Sequence, residues 1–276
     1  MAGTLTLVGT PIGNLSDLTP RAQAALNECD FIAAEDTRVT LRLLNHLNIN
    51  KPLISYYEHN KRERGELICS RIISGQNCAL VTDAGMPAIS DPGEDLVALC
   101  LEYGIKVQVV PGPSAVITAL SVSGLPAGRF TFEGFLSVNK RNRREHLEAL
   151  KDERRTMVFY EAPHKLRATL KDLLDTFGNR RVTIARELTK LHEEVIYTTL
   201  EQASEKYRNM QPRGEFVLVI EGAPQQQKDE ITADQAAAIA CDLMKQGHST
   251  SEAAKLAANQ TGVKKGEIYR LICKES

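Results

Sequence analysis

Residues 81–93 read VTDAGMPAISDPG, and this stretch decides the fold. It continues an apolar run, Asn77-Cys78-Ala79-Leu80-Val81, and leads into an acidic helix start at Asp91, Glu94 and Asp95. The pattern predicts a strand whose carboxyl end opens into a loop of small residues, glycine and proline. In open α/β sheets ligands bind outside the carboxyl ends of the strands. Gly85 has no side chain, so backbone can approach a ligand there. Asp83 supplies one oriented acceptor. The pattern recurs at 107–115, VQVVPGPSA, where Ser114-Ala115 opens a helix, and at 5–14, LTLVGTPIGN. Three such strand ends in one α/β unit point to a small-molecule site rather than to three unrelated turns.

Outward from this stretch, strands and helices alternate. Strands are expected at 4–8, 31–34 and 52–57, and helices at 19–28, 40–47, 63–74, 94–103 and 114–123. Thr19 suits an N-cap and Pro20 the first helical position. Repeated βα units give a mostly parallel sheet, here a first α/β domain over 1–124. GLPAG at 124–128 marks a boundary. A second α/β domain over 125–221 has a more mixed pattern, with strands at 129–134, 156–160, 181–187, 193–199 and 215–221. GAPQQQKDE, within 222–230, reads as a polar linker. Residues 231–276 form a small helical unit of helix-turn-helix layout. Over 221–276, seven Lys/Arg face eight Asp/Glu. A duplex-binding module is usually more basic, so nucleic-acid contact and simple packing or a dimer contact both stay open.

The 276 residues are 42% apolar with net charge -1, so nothing global points to nucleic acid or a membrane. Six cysteines form no CxxC, which suggests reduced core thiols in a cytoplasmic protein. Residues 1–10 lack the basic region and long apolar stretch of a signal peptide. No GxGxxG follows the first strand, which argues against a dinucleotide site, and the absence of GxxxxGK[ST] argues against a P-loop. The absence of HExxH and of clustered His/Cys argues against a metal site, and that of GxSxG against a serine hydrolase.

Ionisable residues gather at further strand ends: Glu35-Asp36-Thr37-Arg38, Ser55 to Asn60, Phe159 to His164, and Ala185 to Glu194. Perturbed acid/base groups collect in such clefts. Lys140-Arg141-Asn142-Arg143-Arg144 forms one basic patch, and Lys61-Arg62 with Arg64 another. Local patches of this kind suffice for phosphate contacts.

In order along the chain, LVGTPIGNLSD, AAEDTR, SYYEHN, VTDAGMPAISDPG, VPGPSA, FYEAPHKL, ARELTKLHEE and RGEFVLVIEG resemble the bacterial small-subunit (16S) ribosomal RNA cytidine 2′-O-methyltransferases, within the tetrapyrrole methylase superfamily. The resemblance covers about 1–221 closely. It implies two α/β domains with a cleft between them, a homodimer, S-adenosylmethionine (SAM) as methyl donor, and the ribose 2′-hydroxyl of a decoding-region cytidine, within the assembled small subunit, as acceptor. The superfamily's donor loop falls on Asp83-Ala84-Gly85-Met86-Pro87-Ala88, with further contacts at Pro11, Ser114-Ala115, Tyr160, Arg186-Glu187 and Gly214-Glu215. Porphyrin-modifying members usually carry Gly-Pro-Gly and Gly-Asp-Pro loops. Here Thr10-Pro11-Ile12-Gly13 and Asp83-Ala84-Gly85 stand instead, which counts against a porphyrin-sized acceptor. A ribose hydroxyl needs a base, for which Glu187, His192, Glu193, Asp36 and His59 are candidates. Arg38, Arg186 and Lys190 could hold flanking phosphates or developing oxyanion charge. Lys61, Arg62, Arg64, Lys140, Arg141, Arg143 and Arg144 are the candidate RNA contacts. The alternatives are a methyltransferase of porphyrinoid small molecules and a DNA-binding regulator.

Overall fold

The computed structural model describes residues 2–224 and 232–275. Residues 225–230 of the expected linker, and residue 231, lie outside the described residues. The described chain forms two compact units that meet in sequence at 223/224.

The first unit begins with alternating elements: β1 (Thr4–Val8), α1 (Pro20–Glu28), β2 (Phe31–Ala34), α2 (Thr37–His46), β3 (Leu53–Ser55), α3 (Lys61–Ile73), β4 (Cys78–Val81), α4 (Gly93–Glu102), β5 (Lys106–Val110) and α5 (Ala115–Val122). Thr19 caps α1 as expected, its hydroxyl accepting the Ala22 N–H at 3.1 Å. Helix α3 starts earlier than its sequence suggests. Asn60 closes the preceding turn, accepting from Tyr57 N–H and donating to Ser55 carbonyl, so Lys61 and Arg62 are helical. The strands run in the order β3-β2-β4-β1-β5, every pairing parallel. β2 and β4 are buried along their whole length, since helices cover both faces. α1 and α2 pack on one face with Val8, Ile32 and Val81, while α3 and α4 pack on the other with Leu5, Phe31 and Leu80. Neighbouring β1 and β4 therefore send their following helices to opposite faces, and a crevice opens at their carboxyl ends.

The chain continues through β6 (Phe130–Phe135), α6 (Lys140–Ala149), β7 (Thr156–Glu161), α7 (Leu166–Phe177), β8 (Arg181–Arg186), β9 (Glu194–Thr199), α8 (Leu200–Tyr207) and β10 (Phe216–Ile220). This second sheet is mixed, in the order β6-β7-β10-β8-β9, with β6 and β7 parallel and the other pairs antiparallel. α6, α7 and α8 cover one face through Leu147, Leu170, Leu173 and Leu200. The other face is covered by α5: Val116, Ala119 and Leu120 pack on Val158, Ala185, Val217 and Val219. α5 follows the first sheet in sequence but buries its apolar side against the second, so the two halves share one core.

The C-terminal unit holds α9 (Ala233–Lys245), α10 (Thr250–Thr261) and α11 (Lys265–Glu275). Capping boxes start α9 at Thr232/Gln235 and α10 at Ser249/Glu252. Its centre is built from small side chains, Ala236, Ala240, Ala253 and Ala257, closed by Ile268 and Ile272. All six cysteines are free, and Cys69 and Cys100 pack 3.7 Å apart, sulfur to sulfur, in the core. Among the described residues no helix is long and apolar enough to cross a membrane.

Candidate functional site

The three Gly/Pro loops join into one cradle. After β1, Thr10 pairs with Gly85 of the β4 loop, exchanging N–H···O bonds of 2.9 and 3.2 Å. The Thr10 hydroxyl donates to Thr82 carbonyl at 3.2 Å. Gly9 meets Gly112 of the β5 loop backbone to backbone: a Cβ on Gly9 would lie 2.6 Å from Gly112 Cα. Gly112 N–H points at Met86 Sδ, 3.2 Å away.

Between this cradle and the second sheet lies a cleft of about 550 Å³, within the roughly 300–1,000 Å³ of small-molecule sites. Its first wall holds Asp83, Ala84, Gly85 and Met86, with Ser114 and Ala115 at the start of α5. Its second wall holds Tyr160, Ala185, Leu188, Glu215 and Val217. Eight expected donor residues therefore converge: Asp83, Ala84, Gly85, Met86, Ser114, Ala115, Tyr160 and Glu215. Pro11 lines an adjoining recess of about 250 Å³ that shares Asp83. Pro87, Ala88 and Gly214 are not among the lining residues; Ala88 is left-handed at φ 66°, and a Cβ on Gly214 would meet the Glu187 side chain.

The loop at 88–93 is held by one carboxylate. Asp91 Oδ1 accepts Ala88 N–H at 2.9 Å and Gly93 N–H at 2.7 Å. Ser90 is also left-handed, at φ 65°. Glu187 and Thr189, at φ 50° and 65°, put similar non-glycine strain beside the second wall. Such strain persists where surrounding structure over-determines it, and it gathers at functional sites. Asp91 Oδ2 is buried without a hydrogen-bond partner. Burial raises the Asp91 carboxyl above the usual range, against the opposing Gly93 and Ala88 N–H groups. Burial, with Glu35 second, likewise raises Asp83. Asp83 Oδ1 is fixed by Asp36 N–H at 3.1 Å, and Glu35 accepts the Thr82 hydroxyl at 2.7 Å.

The expected bases lie elsewhere. Asp36 caps α2 and grips Arg38, Nη2 to Oδ2 at 2.6 Å, which holds its carboxyl down to about 2. Glu187 accepts Glu215 N–H at 2.8 Å and Lys190 Nζ at 3.0 Å. Burial pushes the Glu187 carboxyl up, but these bonds outweigh it and hold it low. Lys190 bridges Glu187 and Glu215 against Gly13, joining the second wall to the first loop. Arg186 donates to Arg213 carbonyl at 2.7 Å, and Glu193 accepts Thr189 N–H. His192 is exposed. His59 sits in a neighbouring acidic recess with Glu35, Glu58, Asp91 and Glu94. None of the expected bases, and none of Arg38, Arg186 and Lys190, lines the main cleft. The carboxylates that do, and that sequence reasoning missed, are Glu35, Asp91 and Glu161. The SDPG and FYE motifs contained two of them, but spacing alone gave no sign of which side chains turn inward.

Of the candidate RNA contacts, Lys140, Arg141 and Arg144 are exposed, Arg141 paired to Glu145. Arg62 is exposed, Arg64 is half-buried, and Lys61 bridges Glu58 and Asp95. Arg143 is a correction. It is buried, 2.6 Å from Asp172 Oδ2 and 2.9 Å from the Thr169 hydroxyl, which donates on to Glu161 in the cleft wall. Helical periodicity turns it inward, a quarter-turn from Arg144. Replacing Arg143 by Ala should destabilise the protein by about 2–3 kcal/mol in denaturant unfolding. That is below the roughly 3–5 of a fully buried pair, because Asp172 reaches solvent. Arg144→Ala should leave stability within about 0.5 kcal/mol.

The family model for tetrapyrrole (corrin/porphyrin) methylases matches residues 4–204. The chain is 46% identical over 270 residues to Ribosomal RNA small subunit methyltransferase I of Synechocystis sp., covering 98% of this chain and 97% of that protein. It is 49% identical over 220 residues to the protein of that name in Thermotoga maritima, covering 80% of this chain and 99% of that one. Among solved structures it resembles uroporphyrin-III C-methyltransferase from Thermus thermophilus in complex with S-adenyl homocysteine. The TM-score is 0.53 at 21% identity, covering 78% of this chain and 97% of that one, a likeness of fold.

Proposed function

The chain belongs to the tetrapyrrole methylases, and from that premise we propose that it is a SAM-dependent methyltransferase of small-subunit ribosomal RNA, acting on the ribose 2′-hydroxyl of a decoding-region cytidine. The observation that carries this reading is near-full-length likeness, at 43–49% identity, to relatives named for that RNA. The cleft fits the donor: it has an apolar floor, an oriented carboxylate at Asp83, and a helix start at Ser114-Ala115. When bound, SAM supplies an electrophilic methyl group.

The residues of the chain do the positioning. Asp83, Met86 and Tyr160 hold the donor, and the walls exclude water. Holding a hydroxyl in line at about 3 Å supplies roughly 7–11 kcal/mol of the barrier reduction. The hydroxyl proton passes to Glu35, a carboxylate lining the cleft: Asp91 is buried at Oδ2 and holds two N–H groups at Oδ1, Glu161 accepts bonds at both oxygens, and Glu215 is tied to Lys190. Lys140, Arg141 and Arg144 hold backbone phosphates. A homodimer belongs to this reading: β5 is an edge strand with Val109 exposed on it, and Ile117 on α5 is exposed as well. The setting is the cytoplasm, where assembled small subunits are found.

The test is tritiated methyl transfer from SAM to purified small ribosomal subunits, with free RNA, DNA and a porphyrin as controls. Ribose label in the subunit RNA is expected; label on the porphyrin alone would overturn the reading. Replacing Lys140, Arg141 and Arg144 by Gln should weaken subunit binding and reduce the salt slope by about one unit for each phosphate no longer neutralised. An unchanged slope would remove this patch from the RNA site.

A further inference from the structure

Strand β6 carries one extra residue. Phe132 pairs with Val158 and Gly134 with Phe159, so Glu133 has no partner in the ladder. Gly134 sits at φ +62°, a conformation that glycine adopts without strain. In a regular strand Phe135 would stand on the face opposite Phe132. The bulge brings it back to the same side, as bulges near active sites re-aim side chains. Both rings pack on Tyr160, with centroids 4.9 Å away for Phe132 and 5.4 Å for Phe135. Glu133 is turned to the opposite face, toward His146 on α6, 2.9 Å away, and Leu136 drops into the core.

Phe135 is thus the outermost of three packed rings and lines the cleft mouth while 56% exposed. Ile89 lines the same cleft and is 53% exposed. Five residues beyond Phe135, α6 begins, with Lys140 and Arg144 exposed one turn apart and without ion-pair partners among the described residues. An aromatic face followed closely along the chain by unpaired cations suits an unpaired nucleotide: the ring stacks on a base and the cations take the phosphates.

We propose that Phe135 is the stacking platform for the base of the methylated nucleotide, which enters the cleft extruded and unpaired. The inference rests on the ribosomal RNA reading above. It makes Phe135, at the mouth of the shared cleft, a determinant of acceptor binding rather than of donor binding.

The experiment compares Phe135→Ala, Phe135→Leu and Phe135→Tyr with the parent protein. Methyl transfer to small ribosomal subunits is measured alongside SAM affinity by calorimetry. Ala and Leu should lower kcat/KM roughly tenfold or more, the scale of losing one base stack. Tyr, which keeps the aromatic face, should retain most activity. SAM affinity should not change in any variant. A Leu variant as active as the parent would overturn the platform, because apolar bulk alone would then suffice. A parallel loss of SAM affinity would overturn it too, by placing the ring in the donor pocket. A parent protein that binds SAM but labels no subunit RNA would overturn the ribosomal reading and the platform together.

Discussion

Gly112→Ala should abolish donor binding and lower the unfolding temperature by about 6–12 °C. The new Cβ would lie 2.8 Å from Gly9 Cα and 2.9 Å from Gly9 C and O. All three are backbone atoms, so no side chain can swing aside. Gly9 continues directly from β1, which is hydrogen-bonded to β4 and β5 in the middle of the sheet. Overpacking a tight site costs about 1–3 kcal/mol or more, and a clash with backbone belongs at the upper end. For a unit of this size each kcal/mol moves the midpoint by about 2–4 °C. Function should suffer more than stability. The strain is relieved by moving the β1 loop off the β5 loop, which pulls Thr10 away from Gly85 and opens the cradle. Calorimetric unfolding with SAM titration on the same sample checks both effects. Gly104→Ala is the control: its Cβ would meet nothing within 4 Å, and it precedes β5, at the strand end opposite the cradle. Its positive φ of +67° confines its cost to local backbone strain. Unaltered donor binding in Gly112→Ala would refute the shared-cradle account.

Asp83→Asn should weaken SAM binding by about 10- to 100-fold with little change in unfolding temperature. The expectation follows from the roughly 1.5–3 kcal/mol of a hydrogen bond to a charged group. Asn keeps an oxygen for the Asp36 N–H that orients the side chain, so the β4 loop should hold its shape. The pH dependence separates this role from a structural one. Burial and the neighbouring Glu35 raise the Asp83 carboxyl above its ordinary value. Donor affinity is therefore full above that raised value and falls as pH drops through it, before an ordinary aspartate would titrate near 3.9. Its contribution to stability has the opposite sign. A group with a raised folded pKa binds its proton more tightly in the fold, so stability gains as pH falls through the same window. Affinity and unfolding temperature should move apart on acidification. Asp83→Asn should flatten the affinity profile. Asp36, held at about 2, should leave no mark in that window. A variant that keeps the parent's affinity and pH profile would remove Asp83 from the donor site.

Much of this architecture is legible in the chain's local patterns. The apolar runs at 78–81 and 216–220 are buried at every position, as continuous runs in central strands require. Thr19-Pro20 announced its helix by cap chemistry, which acts within a single turn. The donor-side loops were legible because each concentrates glycine, proline and small residues over a few positions. The base candidates were not. Glu187 and Asp36 belong to motifs full of charge, yet both carboxylates are taken by neighbouring N–H groups and cations. Arg143 stood in a run of cations and proved to be the one facing inward. Charge in a motif is a local property, while the direction of a side chain depends on the whole element and on what packs against it.

By itself the sequence determined the two α/β halves, the strand ends that form the cradle, the separate helical unit and the family, because periodicity, caps and turn residues act over a few neighbours. Tertiary structure alone decided that α5 belongs to the core of the second sheet and that Gly9 and Gly112 meet. It also decided that Glu35 and Asp91 face the cleft and that a single-residue bulge turns Phe135 toward it. Each of these depends on packing between residues far apart in the chain, or on one residue's shift in register, and neither leaves a local signal in composition.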